Sequence, residues 1–244
     1  MKEKRYYYDG KINLNETIIL QDEEVHHLSN VMRSKTGERV CLFNGDGYFY
    51  FGTIIEISKK FAKIKVEEST LSNNEPAKQI DVVQALAKGD KLSLIMQKIT
   101  ELGASNFILF ESKFCDVKSN THKHERMKQV SISASKQCGR ATIVSCNQSI
   151  MSVSDISNIV KDYDAFFIAY ENETGLTLTD YLLDSNKEFK KVAIMIGAEG
   201  GFSEKEIELL KSSGAIIVSL GKRILRIETA SIACTAILSQ ILKN

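Results

Sequence analysis

The sequence predicts an α/β protein with a small β-rich amino-terminal part and a larger part built on a parallel sheet. Three observations carry this. Residues 1–70 hold several short runs rich in β-branched and aromatic residues, with one helical pattern among them. The polar stretch STLSNNEPAKQ, which contains the sole proline, Pro76, then breaks the pattern. Beyond it, short apolar runs alternate with helical patterns, as expected for strands covered by helices on both faces.

The elements follow in order. ERVCLFNGDGYFYFGTIIEIS holds two β-rich runs around the turn signal Asn44-Gly45-Asp46-Gly47. KFAKIKVEE (60–68) alternates with period two. DEEVHHLSNVMR reads as a helix with Val25, Leu28, Val31 and Met32 on one face. Short strands with one helix predict a small barrel. After Pro76, IDVVQALA is a buried strand, and DKLSLIMQKITELG a helix capped by Asp90 and ended by Gly103. NFILF, a helix around 123–138, TIVSC, DAFFIAY, VAIMI and AIIVSL continue the alternation. The expected division is 1–72 and 73–244.

The net charge of +1 excludes a global basic field but leaves room for a local basic patch. No run reaches the roughly 18 apolar residues of a membrane span. The start, MKEKRYYYDG, lacks the apolar core of a signal peptide. The five cysteines are scattered, odd in number and without a CxxC pair, which points to a reducing cytosol rather than a disulfide framework or zinc site. His26 and His27 are adjacent and cannot share one helix face, and THKHE (121–125) reads as a solvated loop, so no metal is expected.

GAEGGFSEKE (197–206) follows the strand VAIMI, and Ser203 with Glu206 forms a capping-box pattern for the next helix. Glycines at a strand's carboxyl end, before a helix, stand where open α/β sheets bind ligands. The spacing is not GxGxxG, so a plain connection and a ligand loop both remain open. SLGKRILRIETASIACTAILSQ (219–240) repeats the strand-to-helix arrangement with glycine, cations and small residues packed together.

Here the chain resembles, over its whole length, the bacterial family that methylates N3 of a uridine in 16S ribosomal RNA, within the SPOUT superfamily. The family's GPEGG loop and LGxRILRxETA segment stand here as Gly197–Gly201 and Leu220–Ala230. HHLSNVMR (26–33), KGDK (88–91), KITELG (98–103) and QCGR (137–140) match as well. Ala198 replaces the family's proline, and Lys113 in ESKFCDV (111–117) its usual arginine.

The resemblance implies a PUA-like RNA-binding barrel followed by a trefoil-knotted methyltransferase domain that binds S-adenosylmethionine. It implies a cytoplasmic homodimer acting on 16S rRNA in the 30S subunit. A ribose 2′-O methyltransferase of the same superfamily and a non-catalytic assembly factor are the rival readings. Gly197, Gly200 and Gly201 would let backbone approach the cofactor, beside Ile196. Leu220, Gly221, Ile224 and Leu225 would form the adenine slot, or else pack in the core. Ala169 and Tyr170 match a third cofactor loop, and Ala230 opens a small-residue stretch suited to close approach. Glu199 and Glu228 flank these segments; each carboxylate would attract the sulfonium or orient an arginine, and Glu228 would equally cap the last helix. Arg140 and Arg226 are the catalytic candidates, placed to stabilise charge developing on uracil O2 and O4. The alternative is that they hold phosphate or an internal carboxylate. Glu199 or water would serve as base. Lys4, Arg5, Arg33, Arg140 and Arg223 are candidate RNA contacts. The tyrosines at 6–8 read as strand core or, alternatively, as base-stacking groups.

Overall fold

The computed structural model describes residues 4–116, 122–185 and 187–242. The chain forms two compact units, residues 1–75 with 135–143 and residues 76–134 with 144–244.

The first unit is a curled five-stranded sheet, a half-barrel, in the order β1-β3-β4-β5-β2: β1 Arg5–Tyr7, β2 Thr17–Gln21, β3 Arg39–Phe43, β4 Tyr48–Ile57 and β5 Phe61–Leu71. β1 runs parallel to β3, and the other pairs are antiparallel. The β3–β4 turn forms where Asn44-Gly45-Asp46-Gly47 predicts it. Asn44 Oδ1 accepts the Asp46 N–H at 3.2 Å, Asp46 Oδ1 accepts the Tyr48 N–H at 2.9 Å, and Gly45 and Gly47 adopt φ of 94° and 91°. Alternate residues of β5, Ala62, Ile64 and Val66, are fully buried and join Tyr6, Leu20, Val40, Leu42 and Ile54 in one core. Tyr6 is therefore strand core, while Tyr7 and Tyr8 are half-buried.

The expected helix at 22–33 is modified. α1, Asp22–His26, runs into a π-helical turn, His27–Val31. Val25 and Leu28 are buried as expected, but Val31 is 58% exposed. A wider turn carries more residues per revolution, so Val31 leaves the apolar face set by Val25 and Leu28.

The second unit carries a sheet ordered β12-β10-β11-β6-β7-β8, every pair parallel. The strands are β6 Gln79–Ala85, β7 Asn106–Glu111, β8 Ser145–Cys146, β9 Met151–Ser152 (paired with β7), β10 Ala165–Ala169, β11 Lys191–Ile196 and β12 Ile216–Val218. β11 enters between β6 and β10, both of which precede it in the chain. The helices are α2 Lys91–Glu101, α3 His122–Cys138, α4 Val153–Ile159, α5 Leu178–Asp184, α6 Glu204–Ser212 and α7 Ile227–Ile241; the last turn of α3 belongs to the first unit. Ile80, Val82, Phe167 and Ile194 pack with α2, α5 and α7 in one core cluster, and Val83, Ala85, Ile168 and Met195 pack with α4 and α6 in another. Strands buried on both faces explain why they read as continuous apolar runs.

Gly103, at φ 89°, ends α2 as expected, but Asp90 does not cap it. The Asp90 carboxylate instead accepts from Arg126 at 2.5 Å, a charge-assisted bond that outcompetes a neutral amide donor. At the amino edge of the sheet, Asp81 accepts from Asn106 Nδ2 at 2.7 Å and Tyr163 OH at 2.8 Å. Among the described residues no helix is long and apolar enough to cross a membrane.

Candidate active site

The carboxyl edge of the parallel sheet gathers the loops that the sequence singles out. The loop after β11 is a turn in which the Gly201 N–H donates to the Ala198 carbonyl at 2.9 Å. Its glycines meet the protein's own side chains. A Cβ at Gly200 would sit 2.8 Å from Phe114 Cβ, one at Gly197 would sit 3.0 Å from the Phe202 ring, and Gly201 has φ 69°. Phe202 in turn stacks on Phe110, with centroids 6.2 Å apart. The capping box is present: Glu206 Oε2 accepts from Ser203 N–H and Oγ, both at 2.8 Å. Glu206 Oε1 also accepts the Lys113 N–H at 2.7 Å, tying the loop after β7 to the start of α6.

Glu199 is exposed at the tip of the turn and pairs with Lys91 at 2.7 Å. Partial burial raises its pKa, but the Lys91 hydrogen bond and nearby positive charge outweigh this and hold the carboxyl below its ordinary value. It is anionic and a weak base at neutral pH.

The loop after β10 is bound to the end of β12. The Tyr170 N–H donates to Val218 O at 3.0 Å and the Ser219 N–H to Leu176 O at 2.8 Å. Ala169 packs against the core and Tyr170 is half-buried. The segment after β12 is more open. Leu220 and Leu225 are half-buried against the core, whereas Ile224 is 89% exposed and so is not core packing. Gly221, at φ 96°, donates its N–H to Ser219 Oγ at 3.2 Å. Lys222, Arg223 and Arg226 are exposed, and Arg226 stands at the N-cap position of α7 with no side-chain cap bond. Ala230 is buried, and Glu228, in the first helical turn, has a buried Oε2 that no described group hydrogen-bonds. Glu228 therefore does not cap the helix.

The other predicted residues lie in the first unit. Arg140 is buried, with its Nε 3.1 Å from Glu75 Oε2 and Nη2 2.9 Å from Thr142 Oγ1. Glu75 also accepts the Ala141 and Thr142 N–H groups at 2.6 and 3.1 Å. Lys4 reaches Met32 O, Ser34 Oγ and Glu38 Oε2 at 3.0–3.2 Å. Arg5 donates to Lys136 O at 3.3 Å and lies over the Phe49 ring. Arg33 is exposed with φ 49°, a left-handed conformation uncommon outside glycine. Thr121 and the side chains of His122 and Lys123 lie outside the description, and among the described residues no three potential metal ligands gather.

Phe114 and Phe202 as neighbours of the glycines, Lys91 as partner of Glu199, and Gln84 do not follow from the motifs. Gln84 is fully buried in β6 and contacts Gly197 O and Ser231 Oγ. Its signal was a lone amide in the apolar run VVQALA. A groove of about 370 Å³ between α2 and α3, lined by Asp90, Leu94, Gln97, Val130 and Ser133, involves none of these loops.

The fold and its carboxyl-edge loops define an α/β ligand-binding protein, the arrangement in which open parallel sheets hold small molecules. The RNA methyltransferase domain pattern matches residues 73–239 and the RNA methyltransferase PUA domain pattern residues 20–67, and the chain belongs to the RNA methyltransferase family. It is 32% identical to ribosomal RNA small subunit methyltransferase E of Buchnera aphidicola, over 96% of this chain and 92% of that one. It is 31% identical to the enzyme of that name from Bacillus subtilis, over 91% and 90%. The structure of ribosomal RNA small subunit methyltransferase E from Neisseria gonorrhoeae, solved bound to S-adenosyl methionine, superposes with a TM-score of 0.88 over 98% of both chains at 27% identity.

Proposed function

We propose that the protein transfers the methyl group of S-adenosylmethionine to N3 of a uridine in the 16S RNA of the small ribosomal subunit. The observation that carries the reading is Arg226, exposed at the amino end of the fifteen-residue α7. A cation there opposes the helix dipole, so helix stability does not account for it. An anion arriving from outside would be met by both.

The residues present suit the cofactor. Ile224 leaves an apolar surface uncovered beside half-buried Leu220 and Leu225, as an adenine face requires. Glu228, half-buried in the first turn of α7, adds negative charge beside this segment. The glycine turn stands at the carboxyl end of β11, with Glu199 and Gly200 exposed. Bound there, the cofactor supplies an electrophilic methyl carbon.

The protein's share is to bring the uracil N3 in line with that carbon and hold it. Loss of the N3 proton spreads charge over O2 and O4, and the Arg226 guanidinium stabilises it as it develops. Glu199, anionic and paired with Lys91, orients rather than takes the proton, which goes to water. Arg33 and Arg223 contact phosphate. Arg140 supports the first unit through Glu75. The protein acts in the cytoplasm as a homodimer on 30S particles.

Nucleoside analysis of 16S RNA from a deletion strain, before and after treatment of its 30S particles with the protein and S-adenosylmethionine, tests this. N3-methyluridine should be absent and then restored. Restoration of a ribose-methylated nucleoside instead would establish the 2′-O reading, and no restored methylation would leave an RNA-binding factor.

A further inference from the structure

Gln84 is a polar side chain near the end of β6, set among Val82, Val83, Ala85 and the following Leu86, all fully buried. It stands in register between Ile196 of β11, the last residue before the glycine turn, and Leu109 of β7. An amide in such a place is unfavourable unless its hydrogen bonds are made, and a leucine or methionine would fill the space without that requirement.

The bonds it makes run to two separate segments. Gln84 Nε2 lies 3.2 Å from Ala85 O and 3.5 Å from Gly197 O. Gln84 Oε1 lies 2.5 Å from Ser231 Oγ on α7. The Ser231 hydroxyl is also 2.8 Å from Ile227 O, so its one proton is shared between Gln84 and the first residue of α7. Ile227 directly follows Arg226. The Gly197 peptide is confined from another side by the Phe202 ring, 3.0 Å from where a Cβ would stand.

We propose that Gln84 is a positioning residue that sets the glycine turn and the amino end of α7 in one fixed relation. It acts through the Gly197 carbonyl and through Ser231, not by touching cofactor or RNA. The inference rests on the proposed function, because its value lies in these two segments jointly holding S-adenosylmethionine and aiming Arg226. Reacting groups tolerate little misplacement, so a link between the segments that grip and the segment that aims controls both affinity and rate.

The test uses the full chain with Gln84→Met, Gln84→Glu and Ser231→Ala, S-adenosylmethionine calorimetry, and hydrogen exchange of the cofactor-free protein. Gln84→Met should remain folded, bind S-adenosylmethionine about tenfold more weakly, and exchange the amides of 197–203 and 226–230 faster. Gln84→Glu separates hydrogen bonding from packing. Its neutral acid keeps the acceptor and one of the amide's two donors, so affinity should exceed that of Gln84→Met at about pH 6, and ionisation should weaken it toward about pH 8, burial having raised its pKa. Native affinity and exchange in folded Gln84→Met overturn the inference. So does a Gln84→Glu variant that is equally weak at every pH, since that is a packing effect. If Gln84→Met does not fold, Ser231→Ala decides, and native affinity there overturns the proposal. If the unmodified protein binds no S-adenosylmethionine, the proposed function fails, while the exchange comparison still tests the coupling of the two segments.

Discussion

Arg140 and Arg226 are both arginines that the sequence offers for catalysis, and the structure gives them opposite surroundings. Arg140 is 6% exposed, with Glu75 and Thr142 on its guanidinium. Arg226 is exposed, and among the described residues it forms no ion pair. A guanidinium already neutralised by an internal carboxylate has little field left for a substrate, and its removal strands that carboxylate. One held open at the positive end of a helix costs the fold something and keeps its field for an incoming anion. The residue type is the same, so the difference in surroundings comes from what the chain folds against each.

The largest expected effect tests the Arg226 side of this contrast. Arg226→Ala should raise the methyl-transfer barrier by about 2–4 kcal/mol, with thermal stability and cofactor affinity close to native. Single-turnover assays with saturating 30S particles read the rate. A native rate with weakened S-adenosylmethionine binding would make Arg226 part of the pocket wall and erase the contrast.

Arg140→Ala should do the reverse. Leaving Glu75 without its cation should cost about 3 kcal/mol of stability, read as a lower urea midpoint, while folded protein keeps its turnover at saturating substrate. An unchanged midpoint with weakened RNA binding would place Arg140 in the RNA-binding surface after all. Arg226→Lys sharpens the comparison further. A point charge without the planar fork should recover part of the loss, leaving a deficit of about 1–2 kcal/mol in the barrier.

The smallest effect is a pH dependence confined to the Arg140 corner. Burial raises the Glu75 pKa, but bonds from Thr142, Arg140 and the Ala141 and Thr142 amides outweigh it and hold the group below its ordinary 4.5. A depressed folded pKa stabilises above the unfolded value and is lost as pH falls through the folded one. Urea midpoints of the unmodified protein should therefore decline below 4.5 through this group. Glu75→Gln should be less stable near neutrality and have a shallower acid decline. An identical acid decline in both proteins would show that Glu75 contributes nothing to it.

Legibility in the sequence followed the range of the interactions. The buried strands β6, β10 and β11 were plain because burial on both faces demands unbroken apolar runs. The β3–β4 turn and the Ser203–Glu206 box were plain because their bonds join residues two or three apart. TIVSC marked β8, although only Ser145–Cys146 of that run form the strand, whereas β9, Met151–Ser152, is too short to leave a pattern. The loss of the Asp90 cap to Arg126 was invisible because the competing donor stands thirty-six positions on, and the π-helical turn that exposes Val31 keeps the same apolar spacing an α-helix would show.

By itself, then, the sequence determined the class of fold, the family and the loops that gather at the carboxyl edge of the parallel sheet, since periodicity, caps and a long specific motif are local properties. Only the tertiary structure decided what each of those residues is free to do. It placed Phe114 against Gly200, Lys91 on Glu199 and Glu75 on Arg140, and left Ile224 and Arg226 uncovered. A side chain's field and reach depend on the partners that fold around it, and these partners come from distant parts of the chain.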